Sequence, residues 1–447
     1  MNSQLQKIFQ ESIPENKIDN ELYTKYDVKK GLRNEDGTGV LIGLTRIADV
    51  VGYKLVDGKK VDDRGELYYR GIPITQLCRN LDQDQICGYE ETCFLILFGH
   101  LPSRSELDLF TAELRGRYTL PEGFLATNIL RYPSMNVMNQ IQKALLMLYG
   151  EDPLADDISV ANTLDQGLSI LAKMPAILCY SMAAKAHFFE NKSLIVHPVK
   201  PELSIAENIL SLLRPDQQFT PQEAKILDLM MVLHADHGSG NNSTFTNIVV
   251  ASTGTDIYSA MAASVGSLKG PRHGGANISA RRMMDAMLNQ LGLDASDAQI
   301  TRILEQIMDK QFFDGKGLIY GMGHAVYTLS DPRSEILKAQ IEILAQEKNL
   351  SRLYQFYRRT EELAKQVILR RKGIHVSSNI DFYSGLVYSM LDIPEDCYSP
   401  LFAASRMVGW LAHNIENKLY CDKIVRPAGK YVGDLADYIP LAQRQNR

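Results

Sequence analysis

Three histidines stand in company that chemistry can use. His273 in "KGPRHGGAN" and His324 in "YGMGHAVYTLSDPR" are each bracketed by glycines, and His237 closes the cluster "LHADH" within "LHADHGSGNNSTFT". A glycine-flanked imidazole lets a substrate reach both the ring and nearby backbone N–H groups, as polarising a carbonyl requires. Glycines also serve as plain turn formers and helix stops, because they tolerate positive φ. Turns do not require histidine, however, and the arrangement occurs twice.

The other chemical candidates each admit two readings. His234, Asp236 and His237 form His-x-Asp-His, and imidazoles three residues apart can share a metal ion. A longer metal motif would need histidine at position 232, which is Val232, and there is no H-E-x-x-H. The alternative is that these histidines cap a helix C-terminus. Asp381 in "HVSSNIDFYSGLVYSM" suits an N-cap or first-turn carboxylate. It also suits a general base whose pKa is raised by apolar neighbours such as Ile380 and Phe382. Arg406 follows Phe402 and precedes Trp410 by four residues each, so the three share one helix row. Such an arginine either stacks on the rings or clamps a carboxylate with two parallel bonds. Arg333 in "SDPRSE" and Arg426 in "KIVRPAG" read as surface charges when taken alone.

Several function classes are disfavoured. "GSGNNS" and "GMGHAV" lack the third glycine of a dinucleotide fingerprint, and neither a phosphate loop nor a G-x-S-x-G elbow occurs. With net charge −5 in 447 residues, no overall basic field attracts nucleic acid or an anionic membrane, so an anionic substrate needs local arginines. No run approaches eighteen uninterrupted apolar residues. The N-terminus lacks a signal-peptide core, and the six cysteines (78, 87, 93, 179, 397 and 421) include no C-x-x-C pair, which points to reduced thiols and a cytoplasmic protein.

The elements that must position these residues are mainly helical. Strand-like text is confined mostly to Gly39–Ile74, with turns at "DGK" and "DRG". Ser103 with Glu106, and Thr220 with Pro221 and Glu223, predict helix starts by capping boxes. "DIYSAMAASVGSL" and "SPLFAASRMVGWLAHNIE" read as further helices, and the polar residues 1–38 as an arm.

Taken together, "LHADHGSGNNSTFT", "GPRHGGAN", "GMGHAVYTLSDPR", "SSNIDFYSGLVY", "ASRMVGWLAHNIE" and "IVRPAGKYVG" resemble the citrate synthase family in order and spacing, over roughly Gly39 to Gly433. The resemblance implies condensation of acetyl-CoA with oxaloacetate and water, giving citrate and CoA, with the CoA thioester as substrate and no metal or other cofactor. It implies that His273 hydrogen-bonds the thioester carbonyl, Asp381 removes a methyl proton and His324 polarises the keto carbonyl. His237, Arg333, Arg406 and Arg426 are expected at the oxaloacetate carboxylates, and Gly321, Gly323 and Asn379 at CoA. The implied fold is a mainly helical homodimer in which Arg426 crosses the interface. Its large domain would span 39–274 and 386–447, with a small helical domain at 275–385. Where many relatives place a basic residue after "GHAVY", this chain has Thr328, which leaves Lys316, Arg370, Arg371 and Lys372 as substitute phosphate contacts. The same chemistry would serve 2-methylcitrate synthesis from propionyl-CoA, and a metal-dependent hydrolase built on His234, Asp236 and His237 is the alternative from another class.

Overall fold

The computed structural model describes residues 2–34, 38–56, 59–84, 88–324, 326–421 and 423–444. Asp57 and Gly58 of the first expected turn, and Cys87, lie outside them. The chain forms two compact units, Thr45–Ile424 and a smaller one made of Met1–Leu44 with Val425–Arg447. The smaller unit holds the helices Ser3–Glu15 and Glu21–Lys25, and in it the Lys430 ammonium lies 5.4 Å from the Tyr26 ring centre. Arg426 belongs to this unit and is exposed.

The sheet lies within the expected stretch, but "DRG" is not a turn: Asp63, Arg64 and Gly65 lie inside the strand Lys59–Tyr69, where the pairing register shifts opposite Val51 and Tyr53. β1 (Ala48–Val56) and β2 (Lys59–Tyr69) pair antiparallel, with Ala48 opposite Tyr69, and β3 (Ile72–Pro73) adds to β2. Along β2, Gly65, Leu67 and Tyr69 are buried while Arg64 and Glu66 are exposed, the period-two pattern of a strand with one packed face. That face backs the loop carrying His324. A Cβ on Gly65 would lie 2.1 Å from the Ser330 carbonyl, so only glycine lets the hairpin and loop touch. The Gly65 N–H then donates to Ser330 Oγ at 3.1 Å.

Everything else of size is helical, and the starts are chemically marked. Reciprocal capping boxes open the helices at Ser103/Glu106, Ser204/Glu207, Thr220/Glu223 and Ser296/Gln299. Each satisfies two backbone N–H groups that a helix start leaves orphaned. At the centre lies the helix Tyr398–Tyr420, whose Arg406, Trp410 and His413 are all buried. It packs on the helices Val160–Glu190, Pro221–His234, Asn242–Ala251 and Ile257–Lys269. Val160–Glu190 is long and apolar enough to cross a membrane, but 78% of its most apolar window is buried inside the protein, as in a core helix. Cys78, Cys93, Cys179 and Cys397 are buried free thiols, and Cys421 is exposed.

Candidate active site

The site is assembled from two sets of segments that meet ring against ring. The first set surrounds the C-terminal end of Pro221–His234, where His234 is the last helical residue and His237 follows three residues later. His234 turns inward, its Nδ1 2.8 Å from the Met230 carbonyl. Asp236 accepts from the Gly238 N–H at 2.9 Å and lies 3.3 Å from His413 Nε2. The His-x-Asp-His side chains are therefore committed to different partners, and no group of three or more potential metal ligands converges among the described residues. His237 is left with a buried Nε2 that has no partner.

Arg406 has features of both readings of its helix row. The guanidinium does stack, 4.8 Å from the Phe402 ring centre, and it is also completely buried. Nε donates to the His234 carbonyl at 2.6 Å, while Nη1 and Nη2 have no partner. Burial lowers its pKa to about 10, against the attraction of Asp236, so it remains a cation with an open fork. An unpaired buried fork is costly unless a ligand fills it. A carboxylate fits it with two parallel bonds.

Arg333 differs. Nε and Nη2 donate to Asp331 Oδ1 and Oδ2 at 3.0 and 2.7 Å, so its bidentate edge is occupied and only Nη1 remains for an external anion. Burial opposes its charge, but Asp331 outweighs burial and raises its pKa.

His273 lies in the turn between the helices Ile257–Lys269 and Ala276–Leu291. Its Nε2 is 3.1 Å from Ser243 Oγ, which also accepts from Trp410 Nε1 at 3.2 Å and lies 2.8 Å from Asn241 Oδ1. Burial, assisted by Arg406, lowers the His273 pKa to about 4.

The second set carries His324, Arg333 and Asp381. His324 Nδ1 accepts from the Val326 and Tyr327 N–H groups at 3.1 and 3.2 Å. This fixes the neutral tautomer with the proton on Nε2. Burial and the Arg333 charge hold its pKa near 4. The ring stacks on Tyr327 at 4.6 Å and meets His237 at 5.1 Å, edge to face, which joins the two sets. Arg333 lies 5.6 Å from the Tyr327 ring centre.

Asp381 is the second residue of the helix Ile380–Met390, behind the N-cap Asn379. It is half-buried, and the surrounding protein raises its pKa to about 6 even though Arg333 and Arg406 pull it down. Desolvation outweighs both the cations and its place at a helix N-terminus.

Two of the glycines beside the histidines do not offer the free N–H groups expected of them. The Gly323 N–H donates to Ser377 O at 2.8 Å, and the Gly274 N–H to Leu268 O at 3.0 Å. What they permit is close approach: a Cβ on Gly274 would lie 2.2 Å from the Leu268 carbonyl, and one on Gly321 2.7 Å from Phe382 Cα. The Asn379 amide is likewise engaged, accepting from the Asp381 N–H at 3.0 Å and donating to Gly323 O at 2.8 Å. Gly321, Gly323 and Asn379 thus stitch the His324 loop to the Asp381 helix.

Of the substitute cations, Lys316, Arg370 and Arg371 are exposed and paired with Asp314, Glu305 and Asp309, and Lys372 is exposed. A cleft of about 230 Å³ beside Thr328 is lined instead by Lys365, Gln366 and His375, among others. Nothing local in the sequence marks Lys365 and His375. They reach Thr328 only through folding.

Residues 36–428 match the family model for the citrate synthase C-terminal domain. The chain belongs to the citrate synthase family. Citrate synthases are acyltransferases. The chain is 33% identical to the citrate synthase of Haloferax volcanii, over 94% of this chain and 99% of that one. It is 31% identical to the 2-methylcitrate synthase of Shewanella oneidensis, over 85% and 92%. Among solved structures, it resembles the citrate synthase of Thermoplasma acidophilum in ternary complex with carboxymethyl coenzyme A and oxaloacetate, with TM-score 0.77, 26% identity and coverage of 93% and 99%. Its likeness to the Pyrobaculum aerophilum citrate synthase has TM-score 0.74 and 29% identity, covering 92% and 97%.

Proposed function

We propose that this member of the citrate synthase family condenses acetyl-CoA with oxaloacetate and water to give citrate and CoA. The observation that carries the reading is the set of protonation states around Arg406. Its charge acts on Asp381, a carboxyl with pKa about 6, and on His273 and His237, imidazoles held uncharged. A base that is ionised at neutral pH, neutral donors and an open arginine fork are what enolising a thioester beside a dianion requires.

In this reading the Asp381 carboxylate takes a proton from the thioester methyl group. Negative charge develops on the thioester oxygen, where His273 donates. At rest the Ser243 proton goes to Asn241 Oδ1, so for Nδ1 of His273 to be the donor Ser243 must turn that proton to Nε2, 3.1 Å away. The enolate carbon attacks the keto carbon, and His324 Nε2–H donates to the oxygen that becomes the tertiary alcohol. Water then cleaves the citryl thioester and releases CoA. Each preorganised donor contributes about 3–4 kcal/mol to such a step. Arg406 takes one substrate carboxylate with its fork, and Arg333 Nη1 and His237 Nε2 supply single bonds. Arg426 is assigned to the partner subunit's site in a homodimer, and residues 275–385 to a small domain that closes over the keto acid. The reaction uses no metal or cofactor beyond its substrates, and we place it in the cytoplasm.

The test is thiol release from acetyl-CoA and from propionyl-CoA, each with and without oxaloacetate. Release from acetyl-CoA that depends on oxaloacetate is expected. A clear preference for propionyl-CoA would establish the 2-methylcitrate reading favoured by the Shewanella relative, since one methylene is worth about 1–3 kcal/mol of selectivity. Thiol release independent of any keto acid would refute both.

A further inference from the structure

Beside the helix that carries Asp381 is a buried ionic knot that the chemistry above does not use. Glu361 lies in the helix Ser351–Lys372 with its side chain fully inaccessible. Its Oε1 accepts from Ser378 Oγ at 2.8 Å and Lys365 Nζ at 2.7 Å, and its Oε2 from Tyr383 OH at 2.6 Å. Lys338 Nζ reaches both oxygens, at 3.2 and 3.4 Å. Burial opposes ionisation of Glu361, yet Lys338, Lys365 and Tyr383 together hold its pKa at about 2. A buried knot of this kind is seldom worth more to stability than well-packed apolar side chains. What it does supply is fixed geometry.

The Ser378 hydroxyl has one proton, directed at Glu361, and therefore accepts from Ser334 Oγ, 3.0 Å away. Ser334 follows Arg333 in the helix Pro332–Glu347. On the other side, Ser378 bridges to the Met322 backbone, and the Asn379 N–H donates to Gly321 O at 2.9 Å. Two residues further on from Met322 is His324, and three on from Ser378 is Asp381. One carboxylate thus anchors the short segment to which the base, the keto-carbonyl donor and an arginine are all keyed.

We infer that Glu361, acting through the Ser378 hydroxyl, is a positioning residue for Asp381 and His324 in the condensation proposed above. The inference rests on that reading. Neither side chain touches substrate, and their effect is to hold the reacting groups where a displacement of about 1 Å costs on the order of a hundredfold in rate.

The experiment compares Ser378→Ala, Glu361→Gln and Glu361→Leu with wild type in oxaloacetate-dependent thiol release. Oxaloacetate binding is followed by the fluorescence of the single tryptophan, Trp410, and folded fraction by thermal melting. Ser378→Ala is expected to lower kcat about tenfold or more while oxaloacetate binding changes less than about threefold, a loss confined to the chemical step. Glu361→Gln keeps an oxygen for Ser378 and should recover most of the kcat that Glu361→Leu loses. If Glu361→Leu does not fold, Ser378→Ala decides alone. Wild-type kcat in Ser378→Ala, or a loss no greater than its loss of folded protein, overturns the inference and leaves the condensation standing. A wild-type protein without oxaloacetate-dependent thiol release overturns the condensation, and this inference with it.

Discussion

Asp381→Asn should make the protein more stable and nearly inactive at once. The folded state raises the Asp381 pKa from 3.8 to about 6, chiefly by desolvation. Such a carboxyl binds its proton more tightly in the native than in the unfolded chain, so its ionisation destabilises the fold as pH rises from 3.8 through about 6 and then levels off. At about 1.36 kcal/mol per tenfold, the penalty is about 3 kcal/mol at pH 8, about 1.6 at pH 5 and about 0.6 at pH 4. Asparagine has nearly the same shape and no charge to desolvate, so it removes this penalty. For 447 residues the unfolding entropy is about 0.9 kcal/mol/K, so the gain at pH 8 raises Tm by about 3 °C. Turnover should fall about a hundredfold or more because no base remains, with oxaloacetate binding largely kept. Melting curves at several pH values, alongside thiol release, test both halves. If the variant is less stable at pH 8, or its gain does not shrink as pH falls, desolvation of Asp381 is not what raises its pKa. Near-normal turnover would exclude it as the base.

Three further outcomes follow from the same geometry. His273 and His324 have pKa values lowered to about 4 by burial, so their protonation favours the unfolded chain. Stability they contribute is present above the ordinary value of 6.5 and lost as pH falls toward 4, and His324→Gln should flatten that slope in pH-dependent melting. Gly409→Ala would place a Cβ 2.4 Å from Asp236 Oδ1 and 2.6 Å from the Ala235 carbonyl, pushing away the turn that carries His237. A destabilisation of about 1–3 kcal/mol with weakened oxaloacetate binding is expected, measured by melting and by tryptophan fluorescence. If Arg426 crosses a dimer interface, Arg426→Ala and Asp381→Ala dimers should each be nearly inactive. After subunit exchange they should regain about a quarter of wild-type activity, because half the dimers are mixed and each has one intact site. No recovery after demonstrated exchange would place Arg426 in its own subunit's site.

The sequence by itself determined the helical class, the stretch that holds the hairpin and the marked helix starts, and it singled out the candidate chemical residues. Capping boxes such as Thr220/Glu223 are legible because their partners are three residues apart. His273 and His324 are legible because glycines beside an imidazole restrict what the backbone there is for. The tertiary structure decided how those residues are wired. Arg333 and Asp331 are neighbours in "SDPR", yet only the fold shows that Asp331 fills the bidentate edge while Arg406 keeps its fork open. Glu361 meets Ser378 across 17 residues, and Asp236 meets His413 across 177. The glycines near the histidines are needed for close packing, which a flanking-residue pattern does not distinguish from free N–H groups. The physical reason is the range of the forces involved. Helix caps and turns are set by atoms within a few residues along the chain, whereas desolvation and charge pairing depend on which distant segments exclude water from the same few cubic ångströms.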